Sequence, residues 1–184
     1  MMFRALLTAL ALLTPIAAMA EVQSFTERWD GRKVARGDAL MRTTILDAHN
    51  KARKAYGSLP LYWDAALASA ASAYASKLAR ENRFAHDPQK GVRVRQGENL
   101  WMGTRGAFSY AVMAASWIDE RKDFKPGRFP DVSRTGDWSV VGHYTQVVWP
   151  GTTSVGCAIA SNATDDYLVC RYAPAGNVVG VVMR

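Results

Sequence analysis

Cysteine occurs only twice in these 184 residues and histidine only three times. Two cysteines, Cys157 and Cys170, allow a single disulfide at most, and His49, His86 and His143 are the only places for imidazole chemistry. No His-Glu-x-x-His helix and no Gly-x-Ser-x-Gly elbow occurs, so the usual signatures of a zinc peptidase and a serine hydrolase are missing. Past residue 20 no apolar run approaches the roughly 20 residues needed to cross a bilayer. Basic residues are spread thinly: Arg93 and Arg95 form one group, and Arg121, Lys122, Lys125, Arg128 and Arg134 a looser one. Neither is a dense run, and no nucleic-acid motif accompanies them, so nucleic acid is not expected as a partner. A solvated basic surface with affinity for anionic lipid or cell-wall polymer is the simpler reading. Internal repeats and low-complexity tracts are also missing.

Hydrophobic residues make up 49% of the chain and charged residues 21%, which fits one globular domain with a substantial core. The first residues stand apart. A basic start at Met1 to Arg4, an apolar run from Ala5 to Leu13 and the small-x-small triplet Ala18-Met19-Ala20 predict a secretory signal peptide over 1–20, cleaved near Ala20. Its removal takes Arg4 alone among the charged residues, lowering the formal net charge from +7 by one. The expected destination is outside the cytoplasm, either periplasmic or extracellular. Residues 21–37 read as a polar, basic arm that could dock through Phe25 and Trp29. The remaining 38–184 form the domain.

In an oxidising compartment a lone cysteine pair is expected to bridge. Strand-like runs at 154–161 and 167–172 flank a turn at Asn162-Ala163-Thr164-Asp165, which is also a formal glycosylation sequon. Pairing Asn162 with Asp165 places Cys157 opposite Cys170, within bridging distance for cross-strand neighbours. Closing so short a loop would contribute roughly 3 kcal/mol. A free thiol or a two-cysteine metal site is the competing reading.

Three helices are predicted. The first covers 38–56, with Asp38 as cap, Gly57 as stop and a buried stripe of Leu40, Thr44, Ala48, Ala52 and Ala55. Its His49 reads as a residue satisfying local hydrogen bonds. The second starts after Asp64, buries Leu67, Ala71, Tyr74 and Leu78, and runs out near Asn82, leaving His86 on the loop beyond. The third, 109–123, is capped by Ser109 and turns Tyr110, Met113, Ala114, Trp117 and Ile118 inward, with Glu120 at the edge of that face. The stretch 124–141 has no clear period. It is expected to be a long loop exposing Phe124, Phe129 and Trp138.

The stretch Gly142-His143-Tyr144-Thr145-Gln146-Val147-Val148-Trp149, closed by Pro150-Gly151, reads as a β-strand, with His143, Thr145, Val147 and Trp149 on one face. His143 could then be a metal ligand, an acid-base group or a hydrogen-bonded core residue. A last strand is expected over 178–183.

Four segments together resemble the CAP superfamily of cysteine-rich secretory, antigen 5 and pathogenesis-related proteins. They are His49-Asn50-Lys51-Ala52-Arg53, Gly97-Glu98-Asn99, the 142–149 stretch and Tyr172-Ala173-Pro174-Ala175-Gly176-Asn177. Having two cysteines only, with Val141 where many relatives carry cysteine, and the Pro130 to Trp138 stretch, the chain looks like a bacterial member. The resemblance implies an α-β-α sandwich around a central antiparallel sheet. It also implies a cleft lined by His86, Glu98, Glu120 and His143.

Two neutral imidazoles suit a borderline divalent ion such as zinc, so His86 and His143 are the expected ligands, with Glu98 and Glu120 as outer partners fixing the imidazole tautomers. Family members are associated with lipid and sterol binding, which for this chain points to the 124–141 loop and to Phe124, Phe129 and Trp138 at a lipid, sterol or membrane surface. The expected function is therefore a secreted, non-enzymatic binder of an amphipathic ligand. The alternative is a metal- or acid-base-assisted hydrolase using His86, Glu98, Glu120 and His143.

Overall fold

The computed structural model describes residues 34–91 and 93–184. The expected signal peptide, and Phe25 and Trp29 of the arm, lie outside them. Helix α1 spans Asp38–Tyr56 and stops at Gly57, whose φ of 95° suits a left-handed helix end. Gly37, not Asp38, holds its cap position, without a side-chain bond. Asp38 is the acidic residue of the first turn, where it complements the helix dipole. The buried stripe also differs from expectation. Met41, Ile45, His49, Ala52 and Arg53 face inward while Leu40 is 43% exposed. Bulky Met41 and Ile45 remove more apolar area from water than the run of small residues, and their burial sets the helix rotation.

Strand β1, Tyr62–Trp63, leads into helix α2, Ala65–Glu81. The Asp64 carboxylate accepts from the Ala66 and Leu67 N–H groups at 2.7 and 2.9 Å, and Leu67, Ala71, Tyr74 and Leu78 are buried as the spacing predicts. Strand β2 is Gly97–Thr104, and helix α3, Tyr110–Ile118, is capped by Ser109. The third helix is shorter than expected, because its last turn tightens to a 3-10 helix over Asp119–Asp123.

Strands β4, Ser154–Ser161, and β5, Asp165–Ala173, form the hairpin with Cys157 opposite Cys170, and the two are bridged. The sheet order is β1-β4-β5-β2. The three long strands are antiparallel, and the two-residue β1 adds a parallel edge. One sheet face packs Cys157, Leu168, Cys170 and Tyr172 against Met41 and Ile45 of α1 and Met113 and Trp117 of α3. The other packs Tyr167 and Val169 against Ala71, Tyr74, Ala75 and Leu78 of α2. Gly156 makes the second layer possible: a Cβ there would meet the Ala68 nitrogen at 2.2 Å and the Asp64 carbonyl at 2.5 Å. These are the layers of an α-β-α sandwich.

The largest departure is helix α4. Gly142–Val148 is helical, not a strand. Its β-branched residues favour a strand, but two distant groups satisfy the ends of a helix instead. At its N-terminus the Glu120 carboxylate Oε2 accepts from the His143 and Tyr144 N–H groups at 2.9 and 3.0 Å. Near its C-terminus the fully buried Arg53 donates from Nη1 to the Val147 and Trp149 carbonyls, both at 2.9 Å, and from Nη2 to the Thr152 carbonyl at 2.8 Å. Burial pulls the Arg53 pKa down to about 10, so it stays charged at neutral pH.

The 124–141 loop is a second correction. Phe124 and Phe129 are 8% and 3% exposed and pack with Val132, Val141, Tyr144, Val147 and Trp149 in a core of their own. Only Trp138 is on the surface, at 43% exposed. A long loop without periodicity thus contributes core aromatics, since α4 would otherwise leave its apolar side bare. The short strand β3, Gly127–Arg128, pairs with β6, Val182–Met183, which is all that remains of the expected strand over 178–183. A turn at Gly180, with φ of 88°, interrupts the rest. Among the described residues, no helix is long and apolar enough to cross a membrane.

Candidate functional site

The four expected cleft residues come from four different elements. His86 follows α2 on an irregular segment, Glu98 is the second residue of β2, Glu120 sits in the 3-10 turn after α3, and His143 is the second residue of α4. They assemble as two imidazole–carboxylate pairs. His143 Nδ1 lies 2.6 Å from Glu120 Oε1, and His86 Nδ1 lies 2.6 Å from Glu98 Oε1. A carboxylate oxygen with these partners accepts, so each Nδ1 carries the proton and donates. That leaves each Nε2 as a lone pair with no hydrogen-bond partner among the described residues.

A cleft of about 220 Å³ brings the pairs together. Its lining includes His86, Glu98 and Asn99 together with Trp138, Ser139 and His143, while Glu120 supports His143 without lining the cleft itself. Three larger hollows, of about 990, 620 and 380 Å³, contain none of the four residues. Chemistry, not size, selects the smaller one.

The halves of the cleft are built differently. The His143 ring stacks on Trp117 at 6.1 Å between centroids, and its backbone carbonyl accepts from Asn99 Nδ2 at 3.1 Å. Asn177 donates to the Gly142 carbonyl at 2.9 Å and accepts from the Thr145 hydroxyl at 2.7 Å, pinning the first turn of α4. His86 is freer, its side chain 66% exposed, although its partner Glu98 is 5% exposed. Glu98 Oε1 also accepts from the Asp87 N–H at 3.1 Å. Beneath it lies Arg171, whose Nη2 donates to Asp87 Oδ2 at 2.6 Å and stands 3.0 Å from Glu98 Oε2.

Burial alone would raise the Asp87 pKa, but hydrogen bonds from the Gln89 N–H and from Arg171 outweigh it and hold the carboxyl below its ordinary value. Burial, followed by the Glu98 and Asp87 charges, pushes Tyr74 up to about 12. Reading the sequence missed Arg171, Asp87, Asn99 and Asn177 as site residues. The hairpin register was the available signal for Arg171, which follows Cys170 directly. His49 belongs elsewhere: its buried Nδ1–H donates to the Ile45 carbonyl at 2.8 Å, and its Nε2 accepts the Tyr172 hydroxyl at 2.8 Å.

Comparison with known proteins identifies the family. The family model of the cysteine-rich secretory protein family, CAP, matches residues 46–172. The chain belongs to the CAP family. This CAP domain is 38% identical over 136 residues to pathogenesis-related protein 1B of Nicotiana tabacum, covering 73% of this chain and 76% of that one. Among solved structures it is similar to BmVAL-1, with a TM-score of 0.64, 25% identity and coverage of 81% and 84% of the two chains. It is also similar in fold to NaASP2, determined with Zn2+, with a TM-score of 0.62, 24% identity and coverage of 78% and 84%. The matched span takes in all four cleft residues and the Cys157–Cys170 bridge.

Among the described residues no three His, Cys, Asp or Glu side chains converge as a ready-made metal cage. What the CAP cleft offers is two imidazole rings in its lining, each with Nδ1 against a carboxylate, and about 220 Å³ of space for water. Such a donor set fits a borderline divalent ion that keeps water in its shell. It does not fit a closed structural zinc site.

Proposed function

We propose that this CAP domain is an exported, non-enzymatic binding module whose cleft takes a divalent cation through the Nε2 atoms of His86 and His143. The observation that carries this reading is the shared hydrogen-bonding state of the two imidazoles. Each donates Nδ1–H to its own carboxylate, and each keeps its other nitrogen uncommitted beside the same small cleft. Carboxylate–imidazole pairing of this kind raises ligand basicity and fixes ring orientation. Glu98 and Glu120 are the outer partners. Export agrees with the disulfide, which belongs to an oxidising compartment, and with the leader expected over 1–20.

An amphipathic ligand fits the same reading only in a narrower form. Phe124 and Phe129 are unavailable to a lipid or sterol because the core uses them, so Trp138, exposed at the cleft rim, is the apolar contact left. Anionic lipid or cell-wall polymer would meet the basic surface outside the cleft. A hydrolase here would have to use water as its nucleophile, since among the described residues no serine hydroxyl bonds either cleft imidazole. Ser139 lines the cleft, but its hydroxyl donates to Asp137 at 2.8 Å and not to an imidazole.

Zn2+ is the probe for the test, being the ion with which the NaASP2 structure was determined. Calorimetric titration into chelator-treated protein should show one site, and His86→Ala and His143→Ala should each weaken it at least about tenfold. Equal binding by wild type and both variants would overturn the reading.

A further inference from the structure

Among the described residues the carboxylate of the His86 half faces a buried guanidinium, and that of the His143 half does not. Arg171 of β5 lies opposite Glu98 of β2 in the strand register, and the two side chains are 3% and 5% exposed. Arg171 Nη2 hydrogen-bonds Asp87 Oδ2 at 2.6 Å and approaches Glu98 Oε2 at 3.0 Å as an ion-pair contact without hydrogen-bond geometry. The guanidinium carbon sits 5.1 Å from the Tyr74 ring centroid. Glu98 is thus divided between two directions. Its Oε1 is held by the His86 Nδ1–H and the Asp87 N–H, and its Oε2 is drawn towards Arg171. Glu120, by contrast, is held by one imidazole and two backbone N–H groups. Its only ion-pair partner among the described residues is His143.

We propose that Arg171 is a specificity-determining residue that holds Glu98 out of the cation's coordination shell. This inference rests on the cation-binding reading above. A carboxylate turning towards a bound cation would leave the buried guanidinium with Asp87 alone, and separating buried opposite charges is costly. With Glu98 held back, the cleft presents imidazole nitrogens and water, a donor set that favours borderline ions such as Zn2+. Without Arg171, Glu98 keeps the His86 Nδ1–H and the Asp87 N–H on Oε1 alone, its Oε2 loses the partner that holds it back, and a mixed nitrogen–oxygen set is more hospitable to a harder ion such as Mn2+. Arg171 also ties β5 to the segment carrying His86 through Asp87, so one side chain sets both the ligand type and the placement of the loop.

The test uses the full mature chain, with Zn2+ and Mn2+ titrated separately into chelator-treated wild type, Arg171→Gln, Arg171→Lys and the charge-balanced pair Arg171→Gln with Asp87→Asn. The ratio of Zn2+ to Mn2+ affinity should fall about tenfold in Arg171→Gln and in the pair, and should stay nearer wild type in Arg171→Lys, which keeps the charge. Should Arg171→Gln fail to fold, the pair carries the measurement, since it removes one charge of each sign. In parallel, nitrogen-15 shifts of the metal-free protein at alkaline pH report the His86 tautomer. Wild type should show the Nδ1–H form alone and the pair a mixture, because Glu98 is no longer oriented. Zinc binding by wild type with an unchanged ratio in the pair would overturn the role of Arg171 while leaving the cation site standing. No binding of either ion by wild type would overturn the cation site and the specificity role with it. A single Nδ1–H tautomer in both proteins would then show that Arg171 does not orient Glu98 either.

Discussion

His49 and the two cleft histidines are the same residue used in opposite ways. His49 commits both ring nitrogens inside the protein, donating to the Ile45 carbonyl and accepting from the Tyr172 hydroxyl, and none of its surface reaches solvent. His86 and His143 each commit one nitrogen and hold the other beside a cleft. A buried imidazole with both nitrogens satisfied is a structural part. One with a carboxylate on Nδ1 and no partner on its other nitrogen among the described residues has the state that the proposed cation site needs. The contrast predicts that proton uptake harms the first through the fold, and that truncating the others acts mainly on binding.

The largest effect should come from His49. Burial lowers its pKa to about 4, with the nearby Arg53 charge adding to the shift and the Ile45 hydrogen bond opposing it. Between that value and the ordinary 6.5, the unfolded chain binds a proton that the native protein refuses. Stability contributed by neutral His49 is therefore complete above pH 6.5 and is lost as pH falls towards 4, by about 3 kcal/mol in all. Urea unfolding across this window should show the loss. His49→Gln, less stable at neutral pH, should show a flatter profile. The depressed carboxyl of Asp87 loses its contribution only below the ordinary carboxylate value, in a separate and more acidic window.

Glu120 comes next, because it serves the fold and the site at once. Glu120→Ala removes the acceptor for two N–H groups at the start of α4 as well as the partner of His143, at a cost of about 2 kcal/mol. Glu120→Gln keeps an acceptor oxygen and should lose less than half of that in chemical denaturation. If the two variants were equally stable, the capping role of Glu120 would be wrong.

Glu120 also shows why parts of the site were legible and parts were not. Read alone, it is a solvated glutamate at the edge of a helix, and only the family motifs placed it near His143. The same contact decides the conformation of 142–149. Its sequence has a strand's residues, and what makes it a helix is a carboxylate more than twenty positions earlier and an arginine about ninety positions earlier. Local pattern cannot carry that information. Where the determinants were local, the reading held: the Asp64 cap, the α2 stripe and the cysteine register are all as expected. Phe124 and Phe129 failed for the same reason as α4, since the core that receives them exists only once α4 is a helix.

The two cleft histidines should separate in stability even though the proposed cation site uses both. His143 is 32% exposed, stacks on Trp117 and sits in the first turn of α4, so His143→Ala should cost about 1 kcal/mol through lost packing. His86→Ala should cost less than about 0.5 kcal/mol, because its side chain is 66% exposed and Glu98 keeps the Asp87 N–H and Arg171 as partners. Thermal unfolding without metal measures that difference, and adding Zn2+ measures the other half. Zinc should raise the melting temperature of wild type and of neither variant, since a ligand stabilises only the state that binds it. A variant that unfolds like wild type yet gains nothing from zinc is the cleanest separation of ligand from scaffold. His86, held by the less crowded half of the cleft, is the residue at which to look for it.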